Sequence, residues 1–146
     1  MEVLNRIRIT HEEMKYIALF ESLTGASLRD CVVDEDGTIL VTVKPEDVGL
    51  VIGRKGSNIR LLRNVTGRDI RVFEYHENPE AFVKNALKPA RVYEVRIVER
   101  PDGSKVGIVR VDGRDKRIAI GRNGRRIRRV RLLSKRYFQL DNVVIV

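Results

Sequence analysis

Apolar residues in this chain recur about every 3.6 positions in some stretches and alternate every second position in others. Val3, Ile7 and Ile9 alternate loosely and predict a short leading strand over residues 1–9. Thr10 and Glu13 form a capping box ahead of Met14, Ile17, Ala18 and Phe20, so a helix is expected over 11–23, stopped by Gly25. Cys31, Val32 and Val33, the turn Asp34-Glu35-Asp36-Gly37, and Ile39, Val41 and Val43 read as a hairpin. Pro45, Glu46 and Asp47 put proline in the first turn and acids at the positive end of a short helix that runs into Gly53. A helix from Gly56 through Ile59 and Leu62 to Gly67, and a strand at Ile70, Val72 and Phe73, complete the set.

The order then repeats. Asn78-Pro79-Glu80 starts a helix carrying Phe82, Val83, Ala86 and Leu87 and ending near Pro89. Stretches 92–98 and 106–111 flank Pro101-Asp102-Gly103-Ser104 as a second hairpin, whose turn is shifted by about two residues relative to the first. Asp112 caps a short helix reaching Ile120, a helix follows from Arg125 to about Lys135, and Phe138, Leu140, Val143 and Val144 are expected in the last strand or strands. Val143-Val144-Ile145-Val146 is apolar enough to predict that it packs against something.

Between the last two helices of each half lies one repeated stretch. Val51-Ile52-Gly53-Arg54-Lys55-Gly56-Ser57-Asn58-Ile59 matches Ala119-Ile120-Gly121-Arg122-Asn123-Gly124-Arg125-Arg126-Ile127 at a shift of 68 residues. With 11 glycines in 146 residues, a bare Gly-x-x-Gly is weak, since chance supplies about one. The same shift also aligns Thr10 with Asn78, Phe82 with Met14, Val41 with Val109 and Val43 with Val111, which makes the pattern a tandem duplication. We therefore divide the chain into residues 1–76 and 77–146; units this small have thin cores.

Charge sharpens the picture. Lys and Arg number 29 against 20 Asp and Glu, a net charge of +9 that favours a polyanionic partner. The excess follows the motifs: residues 114–136 hold eleven basic residues and one acid, and residues 53–72 hold six and one. Cys31 is the only cysteine, so an intrachain disulfide and a cysteine-based metal site are excluded, and it reads as a small buried strand residue. No apolar run approaches the roughly 20 residues of a membrane span, and the first residues lack the apolar core of a signal peptide, so no membrane partner and a cytoplasmic location are expected.

A turn through two glycines lets backbone approach a ligand, and the helix that begins right after it points free amides at the same place, which favours a phosphate. Arg54, Lys55 and Arg122 add charge there, while Ile52, Ile59, Ile120 and Ile127 would line an apolar groove suited to unstacked bases. Phosphates on one side and bases on the other describe a single-stranded nucleic-acid clamp. The two stretches resemble the signature of KH domains, whose GxxG loop clamps about four nucleotides. Two strands before each loop, and room for only a helix and a strand after the second, resemble the type II arrangement. This likeness implies an α+β fold of two tandem type II KH domains, each in the order α-β-β-α-α-β, with a three-stranded mixed sheet and helices packed on one face. Two adjoining units without a spacer resemble the NusA-like transcription elongation and termination factors of archaea, with a likeness covering about residue 10 to 146. It implies single-stranded RNA as partner, with RNA polymerase an open further partner, and no cofactor; a monomer is expected. The RNA-binding candidates are Ile52, Gly53, Arg54, Lys55, Gly56, Ser57, Ile59 and Arg60 in the first unit. In the second they are Ile120, Gly121, Arg122, Asn123, Gly124, Arg125, Arg126, Ile127 and Arg128.

Each candidate has a plainer reading. The four isoleucines serve as core in any such fold, and the basic run 122–136 can be a solvated helix face. Tyr75, Tyr93 and Tyr137 can stack bases or pack at the core boundary. Asp34, Glu35 and Asp36 are explained by a hairpin turn. His11 and His76 stand apart with no acid or cysteine constellation, and no nucleophile paired with a base, phosphate loop or metal-ligand set is found, so no catalytic or metal residue is assigned. The main expectation is a non-enzymatic RNA-binding protein in transcription elongation, termination or antitermination. The alternative is a ribosome-assembly or ribosome-associated structural protein that docks on folded RNA through the Arg-rich helix.

Overall fold

The computed structural model describes residues 8–146, so the leading strand expected over 1–9 lies outside the described residues except for Arg8 and Ile9, which belong to no strand. Two compact units divide the described chain, Arg8–His76 and Glu77–Val146.

The first unit runs α1 (His11–Thr24), β1 (Leu28–Val33), β2 (Ile39–Val43), α2 (Val48–Ile52), α3 (Ser57–Thr66) and β3 (Ile70–Glu74), with single 3₁₀ turns at Pro45–Asp47 and Arg54–Gly56. The helix α1 begins at a reciprocal capping box: Thr10 Oγ1 accepts from the Glu13 N–H, and Glu13 Oε1 accepts from the Thr10 N–H. Glu13 is nearly buried because its other oxygen accepts from the Val33 N–H at 2.9 Å, so one side chain both caps the helix and pins it to the end of β1. At the hairpin turn Asp34 Oδ1 accepts from the N–H groups of Asp36 and Thr38, which accounts for the acidic cluster as turn chemistry.

Strands order β1-β2-β3, antiparallel between β1 and β2 and parallel between β2 and β3, with Ile39 opposite Ile70 and Val41 opposite Val72. The apolar alternation of β2 turns Ile39, Val41 and Val43 toward a core shared with Phe20, Cys31, Val51, Ile59, Leu62 and Ile70. Every one of these residues is at most 8% exposed, and burying them supplies most of the unit's stability.

The second unit repeats the plan as α4 (Pro79–Ala86), β4 (Val92–Glu99), β5 (Lys105–Val111), α5 (Lys116–Ile120), α6 (Arg125–Phe138) and β6 (Asn142–Ile145), with 3₁₀ turns at Gly113–Asp115 and Arg122–Gly124. Its sheet has the same mixed order, β4-β5-β6. Each first strand carries an irregularity at its start, between Leu28 and Asp30 and between Val92 and Glu94. The copies differ in that α4 has 8 residues where α1 has 14, and the hairpin is longer.

One boundary differs from the sequence expectation. Phe138 is the last residue of α6 and Leu140 precedes β6, so neither is part of a strand, and the helix passes Lys135 to be capped by Gln139, whose φ of 59° is left-handed. The reason is packing: the Tyr137 and Phe138 rings lie 5.5 and 5.6 Å from the Phe82 ring, a contact that keeps the last turn helical. Of the closing apolar run, Val143 is fully buried, whereas Val146 is 51% exposed.

Candidate nucleic-acid interface

Both loops adopt the same backbone. The first glycines, Gly53 and Gly121, have φ of 77° and 81° with ψ of 171°, a region essentially closed to other residues. Lys55 and Asn123 are left-handed at φ 54° and 55°, and Gly56 and Gly124 follow at 78° and 72°. In each loop the second glycine donates its N–H to the first glycine's carbonyl, at 3.0 and 3.1 Å. Three unusual conformations within four residues, in two copies of different sequence, mark a built feature of the fold.

The two glycines do different work. A Cβ on Gly53 would stand 2.7 Å from the Asn58 backbone nitrogen and equally close to its side chain, and a Cβ on Gly121 would stand 2.7 Å from the Arg126 Cβ. That space is occupied from within: Asn58 Nδ2 donates to the Leu50 carbonyl at 2.7 Å, and Arg126 Nη1 donates to the Ile118 carbonyl at 2.6 Å. The first glycine thus lets the following helix reach back and fasten the end of the preceding one. Around Gly124 nothing lies within 4 Å of such a Cβ, so it fronts open space, whereas at Gly56 the Arg60 guanidinium would stand 3.1 Å away.

Four further contacts hold the loops. Arg60 Nη1 donates to the Lys55 carbonyl at 2.7 Å, and Arg128 makes the matching but longer bond to the Asn123 carbonyl at 3.4 Å. The entrance to each short helix is tied to the start of the first strand: Asp47 accepts from the Ser27 N–H and Asp115 from the Arg91 N–H. In the second unit this tie grows into a network. Asp115 also accepts from Arg91 Nε and Nη2, while Asp112 accepts from the Arg114 guanidinium and from the Tyr93 hydroxyl at 2.7 Å. Hydrogen bonds from Arg114 and then Tyr93 hold the Asp112 carboxyl far below its ordinary range, those from Arg91 lower Asp115, and the bond to Asp112 raises the Tyr93 phenol.

With this geometry in place the comparisons with known proteins become informative. The sequence model described as "NusA-like second KH domain" matches twice, at residues 15–78 and 79–144. The chain belongs to the family of NusA-like KH proteins. It is 35% identical to the "Probable transcription termination protein NusA" of Halococcus morrhuae, over 94% of this chain and 97% of that one. A protein of the same name from Halobacterium salinarum is 36% identical over 94% of this chain and 96% of its own. Among solved structures, the crystal structure of APE1850 superposes with a TM-score of 0.86 at 37% identity, covering 94% of this chain and all of that one. The two three-stranded mixed sheets with their helices are the KH architecture in duplicate.

Within this KH frame the predicted residues fall into three groups. Arg54, Lys55, Ser57, Arg122, Asn123, Arg125 and Arg128 are exposed at or just after the loops. The isoleucines split: Ile52 and Ile120 are 37% and 41% exposed at the ends of α2 and α5, whereas Ile59 and Ile127 are 8% and 5% exposed and belong to the cores. Arg60 and Arg126 brace the loops. Sequence reasoning missed Asn58 among the brace residues, and also Leu50 and Ile118, which are 44% and 38% exposed on the same short helices. The 68-residue shift pairs Leu50 with Ile118, and two apolar residues at one matched position were the available signal. Tyr137 packs on Phe82, and the Arg29 guanidinium lies 3.7 Å from the centre of the Tyr75 ring. Tyr93 is 56% exposed, and Arg110 lies 5.2 Å from its ring centre. Among the described residues no cluster of three His, Cys, Asp or Glu could hold a metal, and no helix is long and apolar enough to cross a membrane.

Proposed function

We propose that the chain is a non-enzymatic protein that binds single-stranded RNA through both GxxG loops and acts in transcription elongation and termination or antitermination. The observation that carries this reading is the pair of loops with one backbone, each fronted by exposed basic residues and followed by a helix N-terminus without an acid in its first turn. Backbone amides and Arg54, Lys55, Arg122, Arg125 and Arg128 take the phosphates, and the open space at Gly124 leaves room for the strand to approach. Exposed Ile52 and Ile120 offer apolar surface to base faces, with Ile59 and Ile127 as the floor beneath them. The names of the relatives support a role in termination; in this reading the chain acts in the cytoplasm as a monomer, with RNA polymerase as its expected protein partner.

Fluorescence anisotropy with short single-stranded RNA over a salt series tests it. If about six phosphates are contacted, log K falls against log salt with a slope of about −4. Arg54→Asp/Lys55→Asp and Arg122→Asp/Asn123→Asp each place acid at one loop and are expected to abolish or strongly weaken binding with an unchanged circular dichroism spectrum. Wild-type binding by both variants would make the loops structural turns and end this reading.

A further inference from the structure

The helix after the loop differs between the two copies in a way that the loop itself does not require. Over ten residues α3 carries two basic side chains, Arg60 and Arg63, whereas the first ten residues of α6 carry five. At matched positions Ser57 becomes Arg125, Asn58 becomes Arg126 and Leu61 becomes Arg129. Past the end of α3, α6 continues with Lys135 and Arg136.

Arg126, Arg128 and Arg131 donate to the Ile118, Asn123 and Val143 carbonyls, and Lys135 pairs with Asp141, but the order of charges along the helix works against it. The positive end of a helix dipole disfavours cations, yet the first turn of α6 holds Arg125, Arg126 and Arg128 and no acid, where α1 has Glu12 and Glu13 and α4 has Glu80. Like charges three or four residues apart also repel, and Arg125 faces both Arg128 and Arg129, Arg128 faces Arg131, and Arg131 faces Lys135. The exposed members, Arg125, Arg128, Arg131 and Lys135, share one side of the helix opposite buried Ile127, Val130, Leu133 and Ser134, with Arg131 Nε donating to the Val143 carbonyl. A single-signed stripe that opposes its own helix is complementary to a polyanion.

We propose that the outer stripe of α6 is a phosphate-binding track that continues from the second GxxG loop, so that the second unit holds a longer stretch of RNA than the first. It rests on the reading of the loops as RNA clamps. The helix is about 21 Å long, so nucleotides that run along it past the loop are additional to the roughly four that a clamp holds. The Lys135 ammonium is paired with exposed Asp141 at 2.6 Å, a contact that a phosphate displaces at little cost.

The full chain is titrated with two labelled single-stranded RNAs of about 4 and about 12 nucleotides over a salt series. Lys135→Gln/Arg136→Gln is expected to bind the short RNA as the wild type does and to show, with the long one, a slope shallower by about 1.4, two phosphates' worth. Asp141→Asn keeps an acceptor for the Lys105 N–H and removes the competing charge, and is expected to tighten binding of the long RNA alone. Wild-type slope and affinity for the long RNA in the first variant overturn the track, as do equal losses on both RNAs, which would put these residues in the clamp or in the fold. Should Arg54→Asp/Lys55→Asp and Arg122→Asp/Asn123→Asp both bind short RNA normally while Lys135→Gln/Arg136→Gln keeps its effect, the loop reading falls and the track stands. A wild type that binds neither RNA sinks both.

Discussion

Asn58 and Arg126 occupy the same place in the two units and perform one task with unlike side chains: each donates to the carbonyl eight residues before it, Leu50 at 2.7 Å and Ile118 at 2.6 Å. The loop is thus closed by a side chain from its exit helix to the last turn of its entry helix. Asn58→Ala should remove about 1 kcal/mol from the first unit, read as a lowered unfolding midpoint. Arg126→Ala should weaken RNA binding by loosening the loop while leaving the dependence of log K on log salt as in the wild type. A slope shallower by about 0.7 would instead make Arg126 a direct phosphate contact.

Because the brace occupies the space beside the first glycine, the two glycines should not be equally replaceable. Gly53→Ala and Gly121→Ala meet backbone at 2.7 and 2.8 Å in a conformation that only glycine adopts readily, and each should cost about 2–3 kcal/mol or more. Gly124→Ala meets nothing within 4 Å and carries only the left-handed penalty, about 1 kcal/mol. Thermal unfolding of the four single alanine variants should therefore rank the first glycines well below the second, with Gly56→Ala between because Arg60 lies 3.1 Å away. Equal losses at all four would remove the brace as the cause.

Much of this architecture was legible from the chain because local signals agreed with one another. The capping box at Thr10, the left-handed caps at Gly25 and Gly67, proline at the starts of helices and the period-2 pattern of β2 each named an element that the structure contains. Phe138 escaped because its place depends on Phe82, a partner 56 positions away that no local window includes. The brace escaped for a similar reason: a reading that asks what glycine allows a ligand to do overlooks what it allows the chain to do to itself. Arg60 and Arg126, counted from sequence as RNA contacts, have guanidinium nitrogens bonded to the carbonyls of Lys55 in the loop and Ile118 in α5, and a run of arginines gives no hint of which member is so engaged.

The difference between Lys55 and Asn123 follows from backbone rather than from charge alone. Both residues are left-handed, and asparagine tolerates that conformation far better than lysine. Lys55 therefore keeps a charge at the first loop against a conformational penalty, and Asn123 relieves the penalty without the charge. Lys55→Asn should stabilise the first unit by up to about 1 kcal/mol and at the same time reduce the salt slope of RNA binding by about 0.7. The reciprocal Asn123→Lys should do the opposite on both measurements. Movement of stability and slope in the same direction would refute the trade.

The second unit should also respond to pH at both extremes through the network around Asp112. Arg114 and Tyr93 lower Asp112, and Arg91 lowers Asp115, so both carboxylates are more acidic folded than unfolded. Such groups contribute stability that is present above the unfolded value of about 3.9 and is lost as pH falls below it. Urea midpoints measured downward from pH 7 should thus hold to about pH 5 and then drop, and Asp112→Asn should start lower and drop less. Tyr93 titrates in the other sense. Its hydroxyl donates to Asp112, which raises its pKa above the ordinary phenol value, so the bond is intact below about pH 10 and is lost as pH rises through the folded value. In an absorbance titration of the 4 tyrosines, the difference between wild type and Tyr93→Phe should be a phenol that ionises above pH 10. A difference curve centred at or below that pH would mean that Tyr93 does not hold Asp112 in solution, and the acid sensitivity would then rest on the arginines alone.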